Sequence, residues 1–401
     1  MSNSLLLPNG AVIPFAADSK SYELRLACER PARAAVADDL PARLTPRMRA
    51  HAALGHAGRM RVDLSNIVIN GKPVATIQEP SQCRACRLMH KAPVTKQSRR
   101  IPPWRGARAE WTFKGECIYT DHSTTHDPGW PIKFTAIVNF TDDYTKDSDF
   151  MFTMTKSLTE VASALRAYVH KNAHLFKDGK VYCWKVDNAL KYKGHLIDGP
   201  DGAVTQLVVK RLFRVPHESN SNAKAERSLG VLQRGISACL SHADAPLCLW
   251  PWAASQLRLI NRCLATTAHD PPVSARDFEY PDSDPAEMGC FHVLFCNVVV
   301  ALPPRNKGSK SSHTAANGCY LGYNEQRRAD IVYVPSLLRI ATFRVVDWCG
   351  ENKFNLQVHH RQAHPGRDAR HVPPDGRHAR RPGDARARAR PPPCPCSRSL
   401  L

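Results

Sequence analysis

At 401 residues the chain is long enough for two or three compact units and a sizeable core. Its net charge of +20 implies a polyanionic partner, and nucleic acid is the usual one. No apolar stretch approaches the ~20 residues of a membrane span; the early leucine run lacks a basic flank and meets Pro8, Asn9 and Gly10 at once, unlike a secretory signal; and the 14 cysteines, scattered without a secretory context, read as mostly free thiols.

Residues 1–45 form a lead-in. NGAVIPF and SYELRLA read as two short strands, and the Ala/Arg/Pro-rich run after them as a linker. Over 46–95 the signal sharpens: His51, His56, Cys83 and Cys86 make the pattern H-x4-H-x26-C-x2-C. Two imidazoles and two thiolates form a closed tetrahedral set for one structural Zn²⁺, with no position left open for substrate. A segment this short cannot bury enough surface to fold unaided, so the ion would hold it together. The following basic run, KAPVTKQSRRIPPWRGARAEW, suits either a linker lying along phosphates or plain solvated chain.

Residues 112–275 alternate strands and helices. CIYTD closes on Asp121, and FTAIVNF and DFMFTMT are β-rich runs joined by a hairpin, TDDYTKDS. Asp142 and Asp143 sit in that hairpin for turn reasons and are excluded as metal ligands. Ser157-Leu158-Thr159-Glu160 is a capping box opening a helix with Leu158, Val161, Leu165 and Val169 on one face. VYCWKVD closes on Asp187; a helical stretch near AVTQLVVKRL then leads to an amphipathic helix with a buried stripe of Ala225, Leu229, Leu232, Ile236 and Leu240, and Glu226 beside it. WPWAASQLRLINRCL adds one more helix. The order β-β-β-α-β-α-α predicts an α/β unit, a mixed sheet flanked by helices.

Asp121, Asp187 and Glu226, with 65 and 38 residues between them, stand at two strand ends and on a later helix, from which they can converge. Singly, each is an ordinary strand-end or helix-start carboxylate. Jointly they are hard oxygen ligands suited to two Mg²⁺ (or Mn²⁺) ions, the arrangement of a polynucleotidyl transferase that clamps a phosphodiester displacement. Lys185, Lys191, Lys193, Lys210, Arg211, Lys224 and Arg227 are candidate contacts to DNA phosphates, some of them plain solvated surface.

Residues 285–350 change character: CFHVLFCNVVVALP, GCYLGY, DIVYVP and RIATFRVVDW are short β runs that predict a small all-β, barrel-like domain, with Arg305, Lys307 and Lys310 in its turns. The tail from 355 is Arg/Pro-rich; ten arginines face three aspartates over 359–401, and it reads as a disordered basic segment. Nonspecific nucleic-acid binding, nuclear import and read-through of unselected sequence remain open for it.

Together these segments resemble the integrase region of copia-type retrotransposon Pol polyproteins, related in plan to retroviral integrases. HAALGH…CRAC resembles the family's HxRLGH…CxxC; IYTDHS, FTDDYTK, VDNALKY and NSNAKAERSLGVLQR resemble its segments around the three acids; INRC and GCYLGY also match. The likeness covers about 45–350, and the ordered combination is more specific than any one motif. It implies an HHCC zinc module before a ribonuclease-H-like catalytic core and a small β domain, DNA as partner, a homo-oligomer, and work in the nucleus with a cytoplasmic particle stage. It also implies a piece of a longer polyprotein. Departures are Ala189, Leu190 and Lys191 in place of two glycines and a glutamate, Ala223 in place of a glycine, and Lys146 in place of an arginine. They keep open a catalytically degenerate copy that binds DNA without joining it, and a third reading in which the flanking modules are only docking surfaces.

Overall fold

The computed structural model describes residues 4–6, 12–14, 45–74, 82–90, 111–124, 127–213, 222–266, 268–302, 315–343 and 345–348. The predicted strand SYELRLA, nearly all of the basic run 91–111, the turn carrying Arg305, Lys307 and Lys310, and the basic tail lie outside them.

Strands β1 (Ser4–Leu6) and β2 (Val12–Pro14) pair antiparallel. Helix α1 (Pro46–Ala53) starts where Thr45 Oγ1 accepts from the Met48 N–H at 3.2 Å and Pro46 presets the first turn. After α2 (Arg59–Asp63) come the short strands β3 (Ile67–Ile69) and β4 (Lys72–Pro73), then α3 (Arg84–His90).

The central sheet is built from β5 (Cys117–Thr124), β6 (Ala136–Asp142), β7 (Ser148–Thr153), β8 (Cys183–Val186) and β9 (Lys210–Phe213) in the order β7-β6-β5-β8-β9. β6 runs antiparallel to β5 and β7, while β5, β8 and β9 are parallel. Helix α4 (Leu158–Asn172), capped by Ser157 as the capping box predicts, makes the crossover from β7 to β8 and buries Val161, Leu165 and Val169 with Ile118, Phe140 and Trp184 on one face. After α5 (His195–Asp198), the stretch read as helical at AVTQLVVKRL divides: α6 (Ala203–Leu207) is helix, the left-handed Val208 stops it, and Lys210–Phe213 becomes the fifth strand. The open edge of β8 offers Lys210–Phe213 a ladder of hydrogen bonds that a solvated helix end does not.

Helices α7 (Ala223–Ala243) and α8 (Trp250–Cys263) pack on the other face; Leu229, Leu232, Ile236 and Leu240 bury with Trp250, Trp252 and Leu257. After α9 (Ala275–Glu279), β10 (Ala286–Glu287) adds a parallel strand to β3, so late chain completes the small N-terminal sheet. Strands β11 (Asn297–Ala301), β12 (Ala315–Asn324), β13 (Ala329–Val334), β14 (Arg339–Phe343) and β15 (Val345–Trp348) form an all-antiparallel sheet in the order β14-β13-β12-β11-β15. Its outer strands β14 and β15 are separated by one residue, so nearly continuous chain pairs with β13 at one edge and β11 at the other, the curl of a barrel. One apolar core joins Ala52 and Ala53 of α1, the α7–α8 pair and Val298, Tyr320 and Val332 of this sheet.

Gly55 shows how tightly the N-terminal unit seats: its φ is +65°, and a Cβ there would lie 2.2 Å from Leu257 Cδ2 on α8. Among the described residues the cysteines are free, and no helix is long and apolar enough to cross a membrane.

Asp149 on β7 ties both helical layers to the sheet, with Lys171 of α4 at 2.7 Å and Arg258 of α8 at 3.5 Å. Burial alone would raise its carboxyl, but Arg258 and Lys171 outweigh it and hold the group down at about 2. Burial also lowers Lys171, so the net gain is smaller than the carboxylate alone implies, about 1–2 kcal/mol. Because the folded pKa is depressed, that contribution is present above the unfolded value near 3.8 and fades as pH falls toward 2. Asp149→Asn is therefore expected to lower the melting temperature at pH 7 and to narrow the gap to the parent as pH falls from about 4 to 2, read by thermal denaturation.

Candidate metal centres

The first cluster is the histidine–cysteine set. His51 lies on α1, His56 in the turn after it with a left-handed φ of 61°, and Cys83 and Cys86 at the start of α3. Their four ligand atoms all lie within 4.8 Å of one another. Nε2 of His51 is 3.3 Å from Cys86 Sγ, and Nδ1 of His56 is 3.5 Å from Cys83 Sγ and 3.6 Å from Cys86 Sγ. Zinc bonds of about 2.0–2.1 Å to nitrogen and about 2.3 Å to sulfur place neighbouring corners of a tetrahedron about 3.5 Å apart. The three separations above match those edges, and the donor set fits one Zn²⁺. Burial pushes His56 down to about 4, which keeps its imidazole neutral at pH 7 and able to donate a lone pair. Cys83 is held well below the ordinary thiol range by Cys86 and then, against burial, by His242, His51 and His56.

The three acids stand elsewhere. Register pairs each β5 residue with the β8 residue 66 positions on, Cys117 with Cys183 through Tyr119 with Lys185. Carried two residues further, it sets Asp121 level with Asp187, just past the end of β8. Alternation along each strand puts Cys117, Tyr119 and Asp121, and Cys183, Lys185 and Asp187, on one face. Cys117, Tyr119 and Cys183 bury there against Ala225 of α7. Asn222, the residue before α7, donates from Nδ2 to the Thr120 carbonyl at 3.1 Å, which pins the helix start beside Asp121. Glu226 follows Ala225 in the first turn and is exposed. The carboxylates do not close to the spacing of the histidine–cysteine set: among the described residues that set alone gathers three or more such ligand atoms within 4.8 Å. Asp142 ends β6 and caps the hairpin turn, accepting from the N–H groups of Tyr144 and Thr145, and also from that of Gly115. Asp143 pairs with Lys146 and Lys224.

A cation already lies at the acid site. Lys191 Nζ is 4.0 Å from Asp187 Oδ2, and its ammonium feels both Asp187 and Asp121 while burial lowers its pKa. Asp187 also accepts from the Ala189 N–H at 3.0 Å.

Of the other candidate DNA contacts, Arg211 pairs with Asp198 at 2.5 Å and donates to the Tyr192 carbonyl, and Lys224 pairs with Asp143. Lys185 donates to Tyr119 Oη at 3.0 Å, and Lys193 lies over the Phe213 ring. Lys193, Lys210 and Arg227 are exposed. Sequence reading missed His242 in the last turn of α7, whose ring centroid is 4.9 Å from that of His56. Its only signal was the spacing Cys239-x2-His242, which places both side chains on one helical face.

No family model matches the chain, and no curated protein does. Among solved structures it is similar to the intasome of simian T-cell lymphotropic virus in complex with PP2A regulatory subunit B56 gamma, at 14% identity over 66% of this chain and 85% of that one, with a TM-score of 0.36. It is also similar to the catalytic core domain of BIV integrase, at 12% identity over 42% and 95% of the two chains, with a TM-score of 0.30. The HTLV-2 integrase catalytic core domain, in complex with magnesium and in dimeric form, gives 12% identity over 42% and 97%, with a TM-score of 0.31.

Proposed function

We propose that this chain is a retrotransposon integrase of the copia type, trimming the ends of element DNA and joining them to target DNA. One observation supports the reading: β5 and β8 pair in parallel in a register that, carried two residues beyond Tyr119 and Lys185, sets Asp121 level with Asp187 just past the end of β8, on the face where Asn222 pins the start of α7 and Glu226. The strand order, with β6 alone reversed, supports a ribonuclease-H-like core, and the zinc-spaced His51, His56, Cys83 and Cys86 support the HHCC module before it.

Asp121 and Asp187 would hold two divalent ions, Mg²⁺ or Mn²⁺, and Glu226 would complete one site. Bound there, the ions supply activation of the attacking oxygen and stabilisation of the leaving one. The chain's own part is positioning, because phosphoryl transfer leaves a protein little covalent work. Lys193, Lys210 and Arg227 would take backbone phosphates, with a salt dependence that grows with the number of contacts. DNA is the partner, a multimer of this chain the working form, and the nucleus its place of work.

Lys191 favours a second reading, a DNA binder that no longer joins, because an ammonium beside Asp187 competes with the metal. A strand-transfer assay with Mg²⁺ and oligonucleotides bearing element ends separates the two. Joined products from the parent chain are expected; salt-sensitive DNA binding without joining would replace the first reading by the second.

A further inference from the structure

Two residues of α7, Cys239 and His242, lie beside the histidine–cysteine cluster, which the sequence predicts from residues 46–95 alone. Ala52 and Ala53 of α1 share a core with Leu232, Ile236, Cys239 and Leu240, and α3 packs against the same helix. The last turns of α7 are thereby held over the four ligands. Cys239, in the same part of the helix, is buried in the core that holds Ala52 and Ala53. His242, three residues on, packs against His56 at a tilt of 59°, and His56 in turn meets His51 in a T-shaped contact, with centroids 4.9 Å apart in both pairs. Nε2 of His242 is buried and has no hydrogen-bond partner of ordinary length among the described residues. A buried ring nitrogen without a partner is destabilising, so a nearby donor or acceptor is needed to satisfy it.

Given the zinc reading above, we propose that His242 is an outer partner of the zinc centre, its ring N–H donating to the Cys83 thiolate and tying the module to the core helix. The donor set supports this division of labour. His51, His56, Cys83 and Cys86 supply the four donors a tetrahedral ion takes, so a fifth donor has no vacant corner and serves best as a hydrogen-bond donor to sulfur. Thiolate ligands carry excess negative charge, and an N–H aimed at one of them stabilises it in the bound state. Such partners typically change metal affinity by about 10–100-fold. His242 is thus a positioning residue: it touches a ligand, not the ion.

The test uses the full chain loaded with Co²⁺ in place of zinc, and Zn²⁺ release to a chromogenic chelator. His242→Phe keeps the ring stacking on His56 and removes the N–H; His242→Gln restores a donor. For the phenylalanine variant we expect zinc release faster by about 10–100-fold and a sulfur-to-cobalt charge-transfer band moved to lower energy, with both effects reversed toward the parent in the glutamine variant. A band and a release rate left unchanged by His242→Phe would overturn the role of His242 alone. A parent spectrum of five-coordinate cobalt that becomes four-coordinate in His242→Phe would also overturn it, by making His242 a ligand. Failure of the parent chain to bind Co²⁺ at all would sink the zinc reading itself, so the two failures are distinguishable.

Discussion

Asparagine in place of Asp187 is expected to reduce strand transfer by about a thousandfold or more while leaving the fold and DNA binding in place. The magnitude follows from the several kcal/mol that a correctly held divalent ion contributes to a phosphoryl-transfer barrier, with each ~1.4 kcal/mol worth a factor of ten. The fold should survive because the side chain of Asp187 is 31% exposed and asparagine keeps an Oδ1 that can accept from the Ala189 N–H. Loss of the Lys191 ion pair is a small cost at that exposure. The check is a gel assay for joined products beside circular dichroism and a salt titration of DNA binding. Joining by Asp187→Asn at more than a tenth of the parent rate would remove Asp187 from the reaction.

Withdrawing zinc should have the largest effect on stability. A zinc-selective chelator, with Mg²⁺ kept in excess, is expected to unfold residues 46–90 locally, since binding free energy of about 10 kcal/mol or more in such modules is folding free energy. Cys86→Ser should do the same without a chelator. The damage should spread, because Ala52 and Ala53 bury among Leu232, Ile236 and Leu240, and Gly55 seats against Leu257. Hydrogen exchange should therefore show lost protection in α1 and α3 and partial loss along α7. Unchanged exchange in α1 after chelation would mean that packing alone holds the module.

Much of the central unit was legible in the sequence because its signals are local. The capping box at Ser157 opens α4 where expected, and the stripe Leu229, Leu232, Ile236 and Leu240 marks the buried face of α7. Both depend on periodicity and capping within a few residues. The fifth strand did not show itself, since KRLF has no alternation of its own; it pairs because β8 leaves an edge open, which is a property of the assembled sheet. The same limit hid His242, whose meaning depends on α7 crossing a module more than 150 residues earlier. The clustering of His51, His56, Cys83 and Cys86 was readable from spacing because two short-range pairs, H-x4-H and C-x2-C, each place their side chains close together. For the acids, spacing could place them at strand ends but not reveal that Lys191 would sit beside Asp187; that contact comes from the short turn after β8. Nor could charge counting tell exposed Lys210 and Arg227 from Arg211, which is engaged with Asp198.

Manganese titration of the full chain, followed by electron paramagnetic resonance, bears most directly on whether the acids hold metal. The parent is predicted to bind Mn²⁺, Lys191→Gln to bind it about tenfold more tightly by removing a competing charge, and Asp187→Asn to lose most of that binding. Equal binding by all three chains, or none by the parent and Lys191→Gln together, would contradict a metal-holding role for Asp121, Asp187 and Glu226.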